Sequence, residues 1–165
     1  MLAGAVDELN KYPLAIGKRW GLWNDRTRPG EGAMIASLMR TENAPKRLAQ
    51  LTTVRLGRYR RPFYAGREAD WIAAAVDLES VDMILTGMGG MPGLDDLYAA
   101  VTTALAGRMG RPLERQTYKQ MCGEFHSASA FGFSMAVELV QNGRRGVLLY
   151  TLAARGGKAI CCIQP

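Results

Sequence analysis

The sequence predicts an α/β domain: a mixed, mainly parallel sheet covered by helices on both faces, with a closing antiparallel hairpin. Three observations carry this. Short, almost continuously apolar runs such as Val81 to Leu85 and Gly146 to Leu152 read as strands buried on both faces. Segments with apolar residues at helical spacing lie between such runs. Finally, 165 residues at 48% hydrophobic and 22% charged make one domain, 1–165, able to bury a core, and exclude a disordered chain.

Taken in order, Met1 to Val6 is a small apolar run that reads as a buried strand, and Asp7 to Lys11 as a short polar helix. A loop rich in glycine, proline and charge runs through Pro29-Gly30-Glu31-Gly32, where glycine opens backbone angles closed to other residues. Ala33 to Met39 and Arg47 to Leu56 read as strands, and the polar turn Thr41 to Pro45 between them predicts an antiparallel hairpin. Ala69 to Leu78 has helical spacing, and Val81 to Leu85 is a short strand. After the glycine-rich Gly87 to Gly93, a helix from Leu94 to about Ala106 carries Asp95 and Asp96 in its first turn, where the helix dipole favours carboxylates. Thr117 to Cys122 reads as extended, and Glu124 to Gln141 as a long helix that opens on small residues. Gly146 to Leu152 and Lys158 to Ile163 close the sequence as a tight hairpin.

Composition narrows the chemistry. The longest apolar runs fall short of the roughly 20 residues of a membrane span, and Met1-Leu2-Ala3 has no basic flank of the signal-peptide kind, so a cytoplasmic location is expected. The three cysteines, Cys122, Cys161 and Cys162, have no Cys-x-x-Cys spacing, which argues against a disulfide framework or a zinc site. Each sits in an apolar run without a neighbouring imidazole, which reads as a core position. The one histidine, His126, cannot supply a multi-histidine metal site, and no metal or cofactor is expected. The net charge of +6 is concentrated in Arg55, Arg58, Arg60, Arg61 and Arg67, interleaved with Tyr59, Phe63 and Tyr64. Such a stretch suits an acidic protein partner or nucleic acid. A solvated basic loop is the simpler reading and is preferred, with nucleic acid ranked last.

The order of the glycine-rich stretches is more informative than any one of them. Leu2-Ala3-Gly4-Ala5-Val6-Asp7-Glu8, Pro29-Gly30-Glu31-Gly32-Ala33, a glycine-rich turn with a following aspartate, Lys119 with Gly123, and a terminal Gly156-Gly157 turn together resemble the β-ketoacyl synthase family over essentially the whole sequence. The resemblance implies half of a thiolase-like fold, in which two similar halves stack as five layers. The first half carries a nucleophilic cysteine and the second carries two histidines and a lysine. This sequence looks like the second half, entered just after the nucleophile region.

The resemblance also implies specific substitutions. Thr86 stands where the first histidine opens a His-Gly-Thr-Gly-Thr-type turn, and Lys119 matches the lysine. Glu124 stands where the second histidine follows. In the terminal turn Arg155, before Gly156 and Gly157, replaces the aromatic that gates the acyl site. Condensation needs a thiolate to carry the chain and two imidazoles to donate hydrogen bonds to the enolate. Threonine is a weaker donor, and an ionised glutamate repels a developing enolate. Lys119 and Glu124 have a structural reading as a salt bridge at a helix mouth. His126, about 200° around a helix from Glu124, is expected to face away from it. The resemblance thus implies a subunit of fatty-acid or polyketide-type acyl chain elongation that is inactive alone, of the chain-length-factor kind. It would pair with a ketosynthase subunit as a homo- or heterodimer and meet an acyl carrier protein, with Arg55, Arg58, Arg60 and Arg61 as a candidate contact. The alternative is the C-terminal part of a split or truncated 3-oxoacyl synthase whose N-terminal half is a separate chain.

Overall fold

A computed structural model describes residues 1–44, 46–59, 61–153 and 156–165. In chain order the elements are β1 (Leu2–Asp7), α1 (Lys11–Arg19), β2 (Gly32–Ser37), β3 (Gln50–Arg58), α2 (Ala65–Ala73), β4 (Met83–Thr86), α3 (Leu94–Met109), β5 (Glu114–Thr117), the single helical turn α4 (Lys119–Cys122), α5 (Ala128–Gln141), β6 (Val147–Leu152) and β7 (Gly157–Gln164). The two most apolar strands, β4 and β6, pair in parallel within a five-stranded sheet of order β3-β7-β6-β4-β5. β5 joins β4 in parallel, whereas β7 pairs antiparallel with β6 and with β3. The fold is therefore mixed α/β, and the expected closing hairpin is β6–β7.

Alternation along each strand divides the core. Ile84, Leu148, Tyr150 and Ile160 point to one face, where Ala69 and Ile72 of α2 and Val101 and Leu105 of α3 cover them. Met83, Leu85, Val147, Leu149 and Ile163 point to the other, against Ala128, Ala136 and Val140 of α5. Burial on both faces explains why these strands read as unbroken apolar runs.

The expected hairpin between the second and third strands does not form. β2 pairs antiparallel with β1, from Leu2 opposite Ser37 to Asp7 opposite Gly32, as a separate two-stranded ribbon. β3 instead pairs with β7, far along the chain. Twelve residues separate β2 from β3, longer than the two- to five-residue loops that fix a hairpin, so the pairing is decided by tertiary packing. Other boundaries shift as well. The first helix begins at Lys11, where Asn10 caps it by accepting from the Tyr12 amide. Thr117 to Cys122 is a strand end followed by a helical turn, because Tyr118 starts i to i+3 and i to i+4 bonding rather than continuing the strand. α5 begins at Ala128 and not at Glu124, since the Glu124 backbone is bonded to the Arg28–Gly30 segment. Among the described residues no helix is long and apolar enough to cross a membrane.

Candidate functional site: a lined cavity with a lysine–glutamate pair

Strand ends and helix starts surround a cavity of about 1140 Å³. Gly87 after β4, Leu94 and Asp95 of α3, Tyr118 and Lys119 at α4, and Glu124, Phe125 and His126 before α5 line it together with Leu152 and Gly157. Tyr12 and Ile16 of α1 and Trp20 just past its end contribute as well, spaced four apart along the chain. These three remain 67%, 48% and 60% exposed. The Trp23 indole donates from Nε1 to the Leu14 carbonyl at 3.1 Å and lies against Gly17, where a Cβ would come within 2.2 Å of the ring. Glycine at position 17 is what lets the loop after α1 fold back on it.

The glycine-rich turn is held by side chains around it. Asp95 accepts from the Gly89 amide at 3.2 Å and the Gly90 amide at 2.8 Å, so its carboxylate braces the turn from the first helical turn of α3. Thr117 Oγ1 donates to the Met88 carbonyl at 2.5 Å. Gly87 sits between two phenols: a Cβ there would lie 2.7 Å from the Tyr118 hydroxyl and 2.8 Å from that of Tyr98. Burial pushes both phenols well above the ordinary tyrosine range, so they stay protonated.

Lys119 Nζ and Glu124 Oε2 are 2.5 Å apart, with side chains only 12% and 18% exposed. Gly89 makes room for the pair, since a Cβ there would meet Lys119 Cδ at 3.1 Å. Glu124 is positioned by a backbone crossing: its amide donates to Arg28 O at 2.7 Å and its carbonyl accepts from Gly30 N at 3.1 Å. The strands approach so closely that a Cβ on Gly30 would sit 2.0 Å from the Cys122 carbonyl oxygen, while Gly123 turns with φ +81. At the end of β1, Asp7 accepts from Ser127 N at 2.9 Å and Ser127 Oγ at 3.2 Å, placing a carboxylate before the α5 N-terminus.

Of the residues singled out in the sequence, Lys119, Glu124 and Gly157 line this cavity together. Thr86 does not: it is fully buried at the end of β4, and its hydroxyl donates to the Gln116 carbonyl at 3.2 Å. Gly156 turns with φ +88, its amide donating to Ala153 O. Arg155 and Arg60 lie outside the described residues. The helical rotation expected to turn His126 away from Glu124 does not apply, because α5 starts only at Ala128; both residues line the cavity. Cys122, Cys161 and Cys162 are buried or half-buried, and burial raises all three thiols.

The basic stretch is partly spent inside the molecule. Arg55 donates to the Trp71 carbonyl at 2.6 Å with its guanidinium 4.7 Å from the Trp71 ring centre, and Arg67 stacks on Tyr64. Arg58 and Arg61 are exposed. The sequence reading missed a buried ion pair beside the cavity, Lys158 Nζ to Glu68 Oε2 at 2.6 Å, with the ammonium 4.1 Å from the Trp71 ring centre. A lone lysine at the head of the apolar β7 was the available signal; its partner lies 90 residues away. Among the described residues no group of three or more histidines, cysteines or carboxylates is placed to hold a metal.

No protein-family model matches the sequence, and no curated protein matches it. Solved structures do. The ishigamide ketosynthase/chain length factor superposes with a TM-score of 0.79 at 20% identity, over 99% of this chain and 53% of its own. A chain of the apo AntDE:AntF structure, a type II polyketide synthase acyl-carrier protein in complex with its ketosynthase bound to the hexaketide, matches at 0.75 and 15% identity, over 99% of this chain and 50% of its own. Human mitochondrial 3-ketoacyl-CoA thiolase matches at 0.57 and 14%, over 80% and 34%. The fold is thus half of the thiolase-like fold. The chain spans about half the length of the first two chains it matches.

Proposed function

We propose that the chain is a β-ketoacyl-synthase-like subunit of acyl chain elongation that works in the cytoplasm as a non-catalytic partner and shapes the pocket in which the chain grows. The observation that carries this is the Lys119–Glu124 pair in a chain-sized cavity. A lysine neutralised at 2.5 Å by a carboxylate cannot polarise a thioester carbonyl, and Glu124 offers a charge where an enolate needs donors. The thiols are held in their neutral form by burial. A ketosynthase subunit is the expected partner, with an acyl carrier protein delivering the chain; exposed Arg61 is a part of the basic stretch suited to an acidic carrier. Co-purification with an active ketosynthase, followed by measurement of product chain length with and without this subunit, tests the proposal. Failure to bind any thiolase-fold subunit sinks it.

A second reading, in which the chain is one part of a divided 3-oxoacyl synthase, draws on the β1–β2 ribbon. It packs by one face on α5 and leaves Leu2, Val6 and Ile35 at least 75% exposed on the other, as a layer awaiting cover. Mixing with a polypeptide that supplies the nucleophilic half, and seeing no malonyl-dependent product, counts against it. Nucleic-acid binding ranks last, because Arg55 and Arg67 are held on aromatic rings.

A further inference from the structure

The charges lining the cavity run against those of the protein as a whole. The chain carries +6, yet the lining holds Asp7, Glu8, Asp95 and Glu124 against Lys119 and Lys158. Neither lysine is an unmatched cation: Lys119 meets Glu124 at 2.5 Å, and Lys158 meets Glu68 at 2.6 Å. Asp7 and Asp95 accept hydrogen bonds from backbone amides. Glu8 has no hydrogen bond or ion pair among the described residues and is exposed beside the α1 N-terminus. The same lining carries the aromatic rings of Tyr12, Trp20, Trp23 and Phe125, and aromatic ring faces attract cations. The Lys11 ammonium already stands 5.2 Å from the centre of the Tyr12 ring.

We propose that this cavity takes a long apolar chain carrying a protonated nitrogen at its head, the nitrogen lying among the aromatic rings and Glu8. The proposal rests on the reading of the cavity as a chain pocket and names the chemical class of the chain. A simple carboxylate-headed chain is disfavoured by the same carboxylates. At about 1140 Å³ the cavity exceeds the roughly 300–1,000 Å³ of small-molecule sites, which leaves room for the chain as well as its head.

Intrinsic fluorescence reads the site directly, because Trp20 and Trp23 line it and Trp71 does not. The full chain is titrated at low ionic strength with decyltrimethylammonium, decyl glucoside and decanoate, each below its micelle concentration, with circular dichroism following the fold. The expected result is saturable binding in which the ammonium is about tenfold tighter than decanoate, and a preference cut about threefold by Glu8→Gln. Non-specific association with a chain of net charge +6 favours decanoate, so a cation preference cannot arise from bulk charge. Decanoate binding as tightly as the ammonium, with the glucoside also bound, overturns the cationic head and leaves the chain pocket standing. Binding of none of the three overturns both.

Discussion

Lys119 and Glu124 make the site's sharpest residue-level test. Glu124→Gln leaves the ammonium only 12% exposed and without its charge partner, and is expected to cost about 2 kcal/mol in a urea unfolding titration. Tyr98, Tyr118 and Tyr150 make a second test. Each is raised by burial above its ordinary value of 10.0, so the folded state holds the phenolic protons more tightly than the unfolded chain does. Stability is therefore intact below about pH 10 and falls as pH rises past the unfolded value, because the unfolded state is the one that ionises. Phenolate absorbance and far-UV circular dichroism should change together there; phenolate signal from these residues ahead of unfolding contradicts the burial. At this scale the sequence exposed the lysine, the glutamate and the glycines around them, because their spacing is local. The Lys158–Glu68 pair was hidden, because only the closed sheet brings residues 90 apart together.

Among the elements, the crossing of the Pro29–Gly30 segment over Gly123–Glu124 is the contact that sets the site. Gly30→Ala forces a Cβ to within 2.0 Å of the Cys122 carbonyl oxygen. It is expected to cost about 3 kcal/mol and to separate Glu124 from Lys119. Gly66→Ala, where a Cβ meets nothing within 4 Å, is the control expected to leave stability within about 0.5 kcal/mol. Elements whose signals are local were legible: α3 from its period and its glycine start, and β6–β7 from two apolar runs around a short turn. The β1–β2 and β3–β7 pairings were not, because a strand's period marks its faces and says nothing of its neighbour. Helix starts failed where backbone from elsewhere in the chain took the amides, as at Glu124.

For the whole molecule, the layers run from α2 and α3 through the five-stranded sheet and α5 to the ribbon. The ribbon's outer face carries Leu2, Val6 and Ile35 into solvent. Three neighbouring aliphatic side chains at least 75% exposed are expected to drive self-association of the isolated chain. Light scattering should show particles larger than 18.0 kDa, and Val6→Lys with Ile35→Lys should shift the distribution down. A monodisperse monomer of the unsubstituted chain contradicts this. The mixed α/β class was readable from composition and strand character, whereas the split into a sheet and a detached ribbon was not.

The position of β7 between β6 and β3 has a consequence for biosynthesis. β3 leaves the ribosome long before β7, its one sheet neighbour among the described residues, and until residues 157–164 emerge the backbone of residues 50–58 has no adjoining strand. Pairing of β3 therefore waits until β7 has emerged, and the backbone edge of β3 stays open while the intervening elements are made.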